Sequence, residues 1–172
     1  MMRLILGGIR SGKTRLAEKL AADTGLPVVY IATANAGDSE MSSRINKHKE
    51  RRNSQWLTIE EEINLASTIQ EFAINGNCVI FDCLTLWMTN LLLQLTDSDI
   101  HTQQARLIEV LKTLGSPVFL VSNETNSGII PMDVLSRRFC DEIGVLHQQL
   151  GQIANEVIFM IAGMPHLIKS SP

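Results

Sequence analysis

The sequence predicts an α/β fold, a mainly parallel sheet with helices on both faces. Three observations predict it. Short apolar runs alternate with longer helical patterns along the 172 residues. Turn-forming triplets separate helix ends from the strands that follow. A glycine-rich loop closes the first apolar run and opens the first helix. Such alternation favours parallel strands joined by crossover helices.

The brief runs at 4–6, 28–32, 79–81, 118–121 and 157–161 are mostly aliphatic or aromatic and read as buried strands. Helical patterns lie between them at 13–24, 39–52, 60–74, 85–94, 100–114 and 134–155. Gly25-Leu26-Pro27, Asn75-Gly76-Asn77 and Gly115-Ser116-Pro117 end helices before strands, as glycine and proline chemistry requires. No linker or repeat divides the chain, so 1–172 is expected to be one domain.

Composition excludes several classes. With 45% hydrophobic residues and a net charge of −3, the chain is neither disordered nor a globally basic nucleic-acid binder. The apolar stretch 78–88 is broken by Asp82, and no run approaches the roughly 20 residues that span a bilayer. Cys78, Cys83 and Cys140 form no metal-spaced cluster, and an odd count favours free thiols in a reducing cytoplasm. The charge is uneven: residues 1–60 carry +4 and residues 61–172 carry −7. The first third is therefore the place to look for an anion.

Gly7-Gly8-Ile9-Arg10-Ser11-Gly12-Lys13-Thr14 fits G-x-x-x-x-G-K-[ST] between a strand and a helix. Glycines let successive backbone N–H groups point at phosphate oxygens, and the helix start adds its positive dipole end. Lys13 is expected against the outer phosphates and the Thr14 hydroxyl in a Mg²⁺ shell. The fold is thus of the P-loop NTPase type. Cys78-Val79-Ile80-Phe81-Asp82 is a buried strand ending in a carboxylate. Alone, such an Asp is commonly a cap. Beside a phosphate loop it is better placed to support the metal. The guanine-reading Asn/Thr-Lys-x-Asp pattern of regulatory GTPases is absent, since Asn46-Lys47-His48-Lys49 lacks the acid.

In the predicted helix 39–52, Arg44, His48 and Arg52 are four apart and share a face, with Arg51 nearby. Neighbouring cations keep an imidazole neutral and gather phosphoryl oxygens, which suits a histidine attacking phosphorus. A basic helical face is also commonly just solvated, so the pattern alone leaves His48 open.

Together these motifs resemble the bifunctional adenosylcobinamide kinase/adenosylcobinamide-phosphate guanylyltransferase family of cobalamin biosynthesis. The resemblance runs through GGIRSGKTRLAE (7–18), YIATA (30–34), EMSSRINKHKERR (40–52), WLTIE (56–60), DCLTLWMTNLL (82–92), SNETNSGIIP (122–131), RRFCDEIG (137–144) and AGMPHLIK (162–169). It implies a covalent GMP intermediate on His48. It also implies nucleotide contacts from Ala32, Thr33 and Ala34, from Lys49, Glu50, Arg51 and Arg52, and from Glu60 and Asp82. Glu60 would accept from guanine N–H groups. The implied substrates are adenosylcobinamide, its phosphate, GTP and ATP, with Mg²⁺ and a homotrimeric assembly.

Two departures stand out. The family pattern Asn-Glu-Val-Gly-x-Gly is here Asn123-Glu124-Thr125-Asn126-Ser127-Gly128, and its Asn-Gln is His147-Gln148. Both lie outside the nucleotide motifs and bear on the corrinoid side, its lid or the subunit contacts. Arg44, Arg51 and Arg52 are the candidates for neutralising the transferred phosphate. The rival readings are a plain small-molecule kinase, with His48 structural, and a nucleotide-binding switch or assembly protein.

Overall fold

The computed structural model describes residues 1–33, 53–73 and 76–170. Seven strands form one sheet, in the order β3-β2-β4-β5-β1-β6-β7. They are β1 (Met2–Gly7), β2 (Val28–Ala32), β3 (Leu57–Glu60), β4 (Cys78–Asp82), β5 (Val118–Asn123), β6 (Glu156–Ile161) and β7 (Met164–Ser170). The first six are parallel; β7 returns antiparallel to β6. The described helices are α1 (Lys13–Ala22), α2 (Leu65–Phe72), α3 (Leu84–Gln94), α4 (Asp97–Thr113) and α5 (Val134–Ile153).

The strands are apolar on both faces because both faces are covered. Along β4, Val79 and Phe81 enter the larger core with α2 to α5, while Cys78 and Ile80 enter the smaller one with α1. The small side chains of Ala17 and Ala21 let α1 lie close over the sheet. Trp87 of α3 is fully buried in the larger core, and its indole N–H donates to the Ile63 carbonyl at 2.9 Å. Asn90, one turn on, donates to the Thr33 carbonyl at 2.9 Å. Thus α3 fixes the chain leaving β2 and the segment before α2. Thr96 and Asp133 cap α4 and α5 by accepting from backbone N–H groups three residues on.

The five expected strands and the parallel sheet are present. The expected helix 60–74 is present but shorter: residues 57–60 form β3, and α2 runs only over Leu65–Phe72. The Glu61 carboxylate accepts from the Ile63 and Asn64 N–H groups at 2.8 and 2.7 Å, which turns the chain before the helix can start. Leu57-Thr58-Ile59 supplies the β-branched content of an edge strand. Strand β7 is also additional. Ala162 (φ 51) and Gly163 (φ 81) make the two-residue hairpin turn, and Pro165 is tolerated because β7 is an edge. The predicted helix 39–52 lies outside the described residues.

Trp87→Ala is expected to lower stability by about 3–5 kcal/mol in urea unfolding, the range for emptying a large buried site. Trp87→Phe keeps most of the volume but strands the Ile63 carbonyl, and should cost about 1–3 kcal/mol.

Candidate functional site

In a parallel sheet the carboxyl ends of the strands share one edge, and register decides which residues meet there. Across β3, β2 and β4 the aligned residues are Glu60, Ala32 and Asp82. Further along, Asn123 of β5 and Met160 of β6 flank Gly7 of β1. The phosphate loop begins at Gly7, so the strand-end carboxylate and the loop lie at the same edge.

The loop leaves β1 through backbone conformations that side chains disfavour. Gly7 has φ 149, and a Cβ there would stand 2.5 Å from the Met160 carbonyl oxygen. Arg10 (φ 58) and Gly12 (φ 96) are both left-handed, and such alternation curls N–H groups toward a common centre. Ser11 N–H donates to the Gly8 carbonyl at 3.2 Å, and Gly163 N–H donates to the Ser11 carbonyl at 3.1 Å. The β6–β7 hairpin therefore backs the loop. Gly8, Ile9 and Arg10 are exposed at its tip, whereas Ser11 and Lys13 are buried.

Lys13 Nζ donates to the Gly8 carbonyl at 2.6 Å, so the ammonium arches over the loop. Burial holds its pKa below the ordinary lysine value, while Cys83 and Asp82 oppose that shift. A buried cation with a single carbonyl at this distance is an electrostatic partner for phosphate oxygens. Thr14 Oγ1 donates to Asp82 Oδ2 at 3.0 Å, and the Tyr30 hydroxyl donates to the same oxygen at 2.5 Å. Hydroxyl and carboxylate are hard oxygen donors, which fit Mg²⁺. Among the described residues there is no group of three or more His, Cys, Asp or Glu side chains placed to hold a metal. A site of one hydroxyl and one carboxylate suits a cation that keeps waters and substrate phosphates as its remaining ligands.

The other expected contacts divide clearly. Ala32 is buried at the end of β2. Thr33 is fully buried, and its hydroxyl donates to the Cys83 carbonyl and accepts from the Cys83 N–H. It clamps the chain after Asp82. Glu60 is exposed at the end of β3, one strand beyond Ala32. Ala34, Arg44, His48, Lys49, Glu50, Arg51 and Arg52 lie outside the described residues. Burial raises the thiols of Cys78 and Cys83 to about 11, so neither is a thiolate nucleophile at neutral pH.

Sequence reasoning missed the Tyr30–Asp82 contact and the contact between Thr85 and Asn123. Tyr30 is the one phenol of the chain, in an otherwise aliphatic strand beside the strand that ends in Asp82. That placement was the available signal. Asn123 Nδ2 donates to Thr85 Oγ1 at 3.2 Å, and Thr85 Oγ1 lies 3.0 Å from Cys83 Sγ. The Asn123–Thr85 contact depends on the tertiary fold, which spacing alone does not carry.

Comparison with known proteins agrees with this geometry. The family model described as cobinamide kinase / cobinamide phosphate guanyltransferase matches residues 3–168. The bifunctional adenosylcobalamin biosynthesis protein CobP of Pseudomonas aeruginosa is 49% identical, covering 100% of this chain and 99% of that protein. The bifunctional adenosylcobalamin biosynthesis protein CobU of Escherichia coli is 36% identical, covering 98% of this chain and 100% of that one. Among solved structures, the flagellar accessory protein FlaH from Methanocaldococcus jannaschii superposes with a TM-score of 0.55 at 13% identity, covering 99% of this chain and 78% of that one. That likeness concerns the fold alone. With the phosphate loop, the Asp82 strand end and a match along nearly its whole length, the chain belongs to the cobinamide kinase / cobinamide phosphate guanyltransferase family.

Proposed function

We propose that this chain, as one domain over residues 1–172, phosphorylates adenosylcobinamide with a nucleoside triphosphate and then attaches GMP from GTP, giving adenosylcobinamide-GDP. The observation that carries this reading is the phosphate loop backed by the Thr14–Asp82 contact, in a chain matched by the family model over residues 3–168.

In the first reaction the aminopropanol hydroxyl of the corrinoid attacks the γ-phosphorus. The bond to the bridging oxygen breaks, and the nucleoside diphosphate leaves with the electron pair. Lys13 and the loop N–H groups hold the phosphate oxygens as charge moves onto the leaving side. Thr14 and Asp82 would hold Mg²⁺, which supplies charge neutralisation across the outer phosphates. In the second reaction a ring nitrogen of His48 attacks the α-phosphorus of GTP, expelling pyrophosphate. An oxygen of the corrinoid phosphate then displaces the histidine and takes the GMP. Arg44, Arg51 and Arg52 neutralise the phosphate oxygens during both displacements, and Glu60 accepts from guanine N–H groups. Two in-line displacements replace one difficult transfer.

A homotrimer working in the cytoplasm completes the proposal. Ile129, Ile130, Met132 and Val134 follow β5 as a largely exposed apolar run, surface of the kind that assembly covers. Cys78, Cys83 and Cys140 are free, which suits a reducing compartment.

With GTP labelled at the α-phosphorus, the wild type should acquire acid-labile, alkali-stable protein label as pyrophosphate is released, and His48→Ala should acquire none. No adduct on the wild type, or an intact adduct on His48→Ala, contradicts the histidine assignment. A γ-label that reaches adenosylcobinamide without any adduct points to a plain kinase. Lys13→Ala should slow γ-phosphoryl transfer by roughly 10²–10³-fold, the scale for removing one charge-stabilising donor. Light scattering of the purified chain should give the mass of three chains, and a monomer at micromolar concentration rejects the trimer.

A further inference from the structure

Three consecutive residues at the end of β5 tie together the elements around the phosphate loop. The Ser122 hydroxyl lies 2.7 Å from Nε2 of His147 on α5. Asn123 reaches Thr85, and through it Cys83 beside Asp82. The Glu124 backbone N–H donates to the Gly7 carbonyl at 3.0 Å. Ser122 is fully buried and sits opposite Leu6, and Asn123 sits opposite Gly7. Gly7 has little room to follow a displaced neighbour, because a single added carbon would already meet Met160.

A second contact joins the same segment to α5. Asn126 Nδ2 donates to the Cys140 carbonyl of α5 at 2.9 Å, and its amide packs where a Cβ on Gly144 would stand 2.7 Å away. His147, one turn further along α5, holds Ser122. The segment leaving β5 is thus fastened to α5 at two points.

We propose that His147 is a positioning residue for triphosphate binding: through Ser122 it fixes the end of β5, and with it the Gly7 end of the phosphate loop. The inference rests on the phosphate loop being the triphosphate site. Burial keeps the imidazole pKa below the ordinary histidine value, with the Glu124 carboxylate opposing. The ring is therefore neutral near pH 7. Among the described residues, Glu124 is the charged group facing it. The α3 sequence has no charged residue, Arg3 of β1 is paired with Glu156, and His101 and Gln104 of α4 face Glu142. Above about pH 6.5 the ring is neutral in folded and unfolded chains alike and adds no slope to stability. Below that, the unfolded chain takes the proton first, so stability falls with pH until the depressed folded value is passed.

The test uses the full chain, with GTP as the probe in calorimetry and steady-state assays. His147→Ala should raise the Kd and KM for GTP about fivefold to tenfold, the scale of one buried hydrogen bond, with kcat within about twofold. His147→Gln places an amide nitrogen near the Nε2 position and should restore affinity to within about twofold. It should also remove the histidine's share of the stability loss below about pH 6.5. Ser122→Ala should match His147→Ala, with the double variant no weaker than either. Equal GTP affinity in the wild type and in folded His147→Ala overturns the proposal, as do additive losses in the double variant. A wild type that binds no GTP overturns the triphosphate reading beneath it instead.

Discussion

The Asp82 carboxylate is the point on which the site depends. One of its oxygens accepts from Thr14 on the phosphate-loop helix and from Tyr30 on the neighbouring strand. Those three residues come from α1, β2 and β4, so a single acceptor sets the distance between helix and sheet edge. The parallel register makes this possible, since it brings Ala32 and Asp82 level at the carboxyl edge. Thr33 then holds the next residue by both its N–H and its carbonyl, which leaves the carboxylate little freedom to swing away. A carboxylate placed in this way is preorganised and needs no reorganisation when charge arrives.

Around this point the chain applies backbone contacts from three directions. The β6–β7 hairpin supports Ser11, β5 supports Gly7, and α3 holds the segments that follow β2 and precede α2. The phosphate loop is thereby supported by distant parts of the chain, such as Gly163 and Glu124, as well as by its own Ser11 and Lys13 contacts to the Gly8 carbonyl. That arrangement suits a loop that holds phosphate oxygens in fixed positions.

The fold was largely legible because its signals are local. Five apolar runs of the expected length became five parallel strands, and the phosphate loop lies between strand and helix as its motif demands. The position of Asp82 at the end of a buried strand was legible as well, since the apolar run Cys78–Phe81 stops at a carboxylate. Strand β3 was not, because the polar Glu60-Glu61-Glu62 run reads as the start of a helix until the Glu61 carboxylate is seen turning the chain. The hydrogen bonds of the Thr33 hydroxyl to the Cys83 backbone were not legible, since they join residues 50 apart in sequence. The Tyr30–Asp82, Asn123–Thr85 and His147–Ser122 contacts were illegible for a common reason. Each joins residues that only the tertiary fold brings together, with sequence separations of 25 to 52 residues.

The central claim is that Thr14 and Asp82 form the divalent-cation side of a triphosphate site, and GTP affinity with and without Mg²⁺ tests it most directly. Asp82→Asn keeps an acceptor for Thr14 and Tyr30 but removes the charge. Mg²⁺ should strengthen GTP binding to the wild type by about tenfold or more, and most of that gain should vanish in Asp82→Asn, in line with the loss of one hard anionic ligand. An equal gain from Mg²⁺ in both proteins would contradict the account.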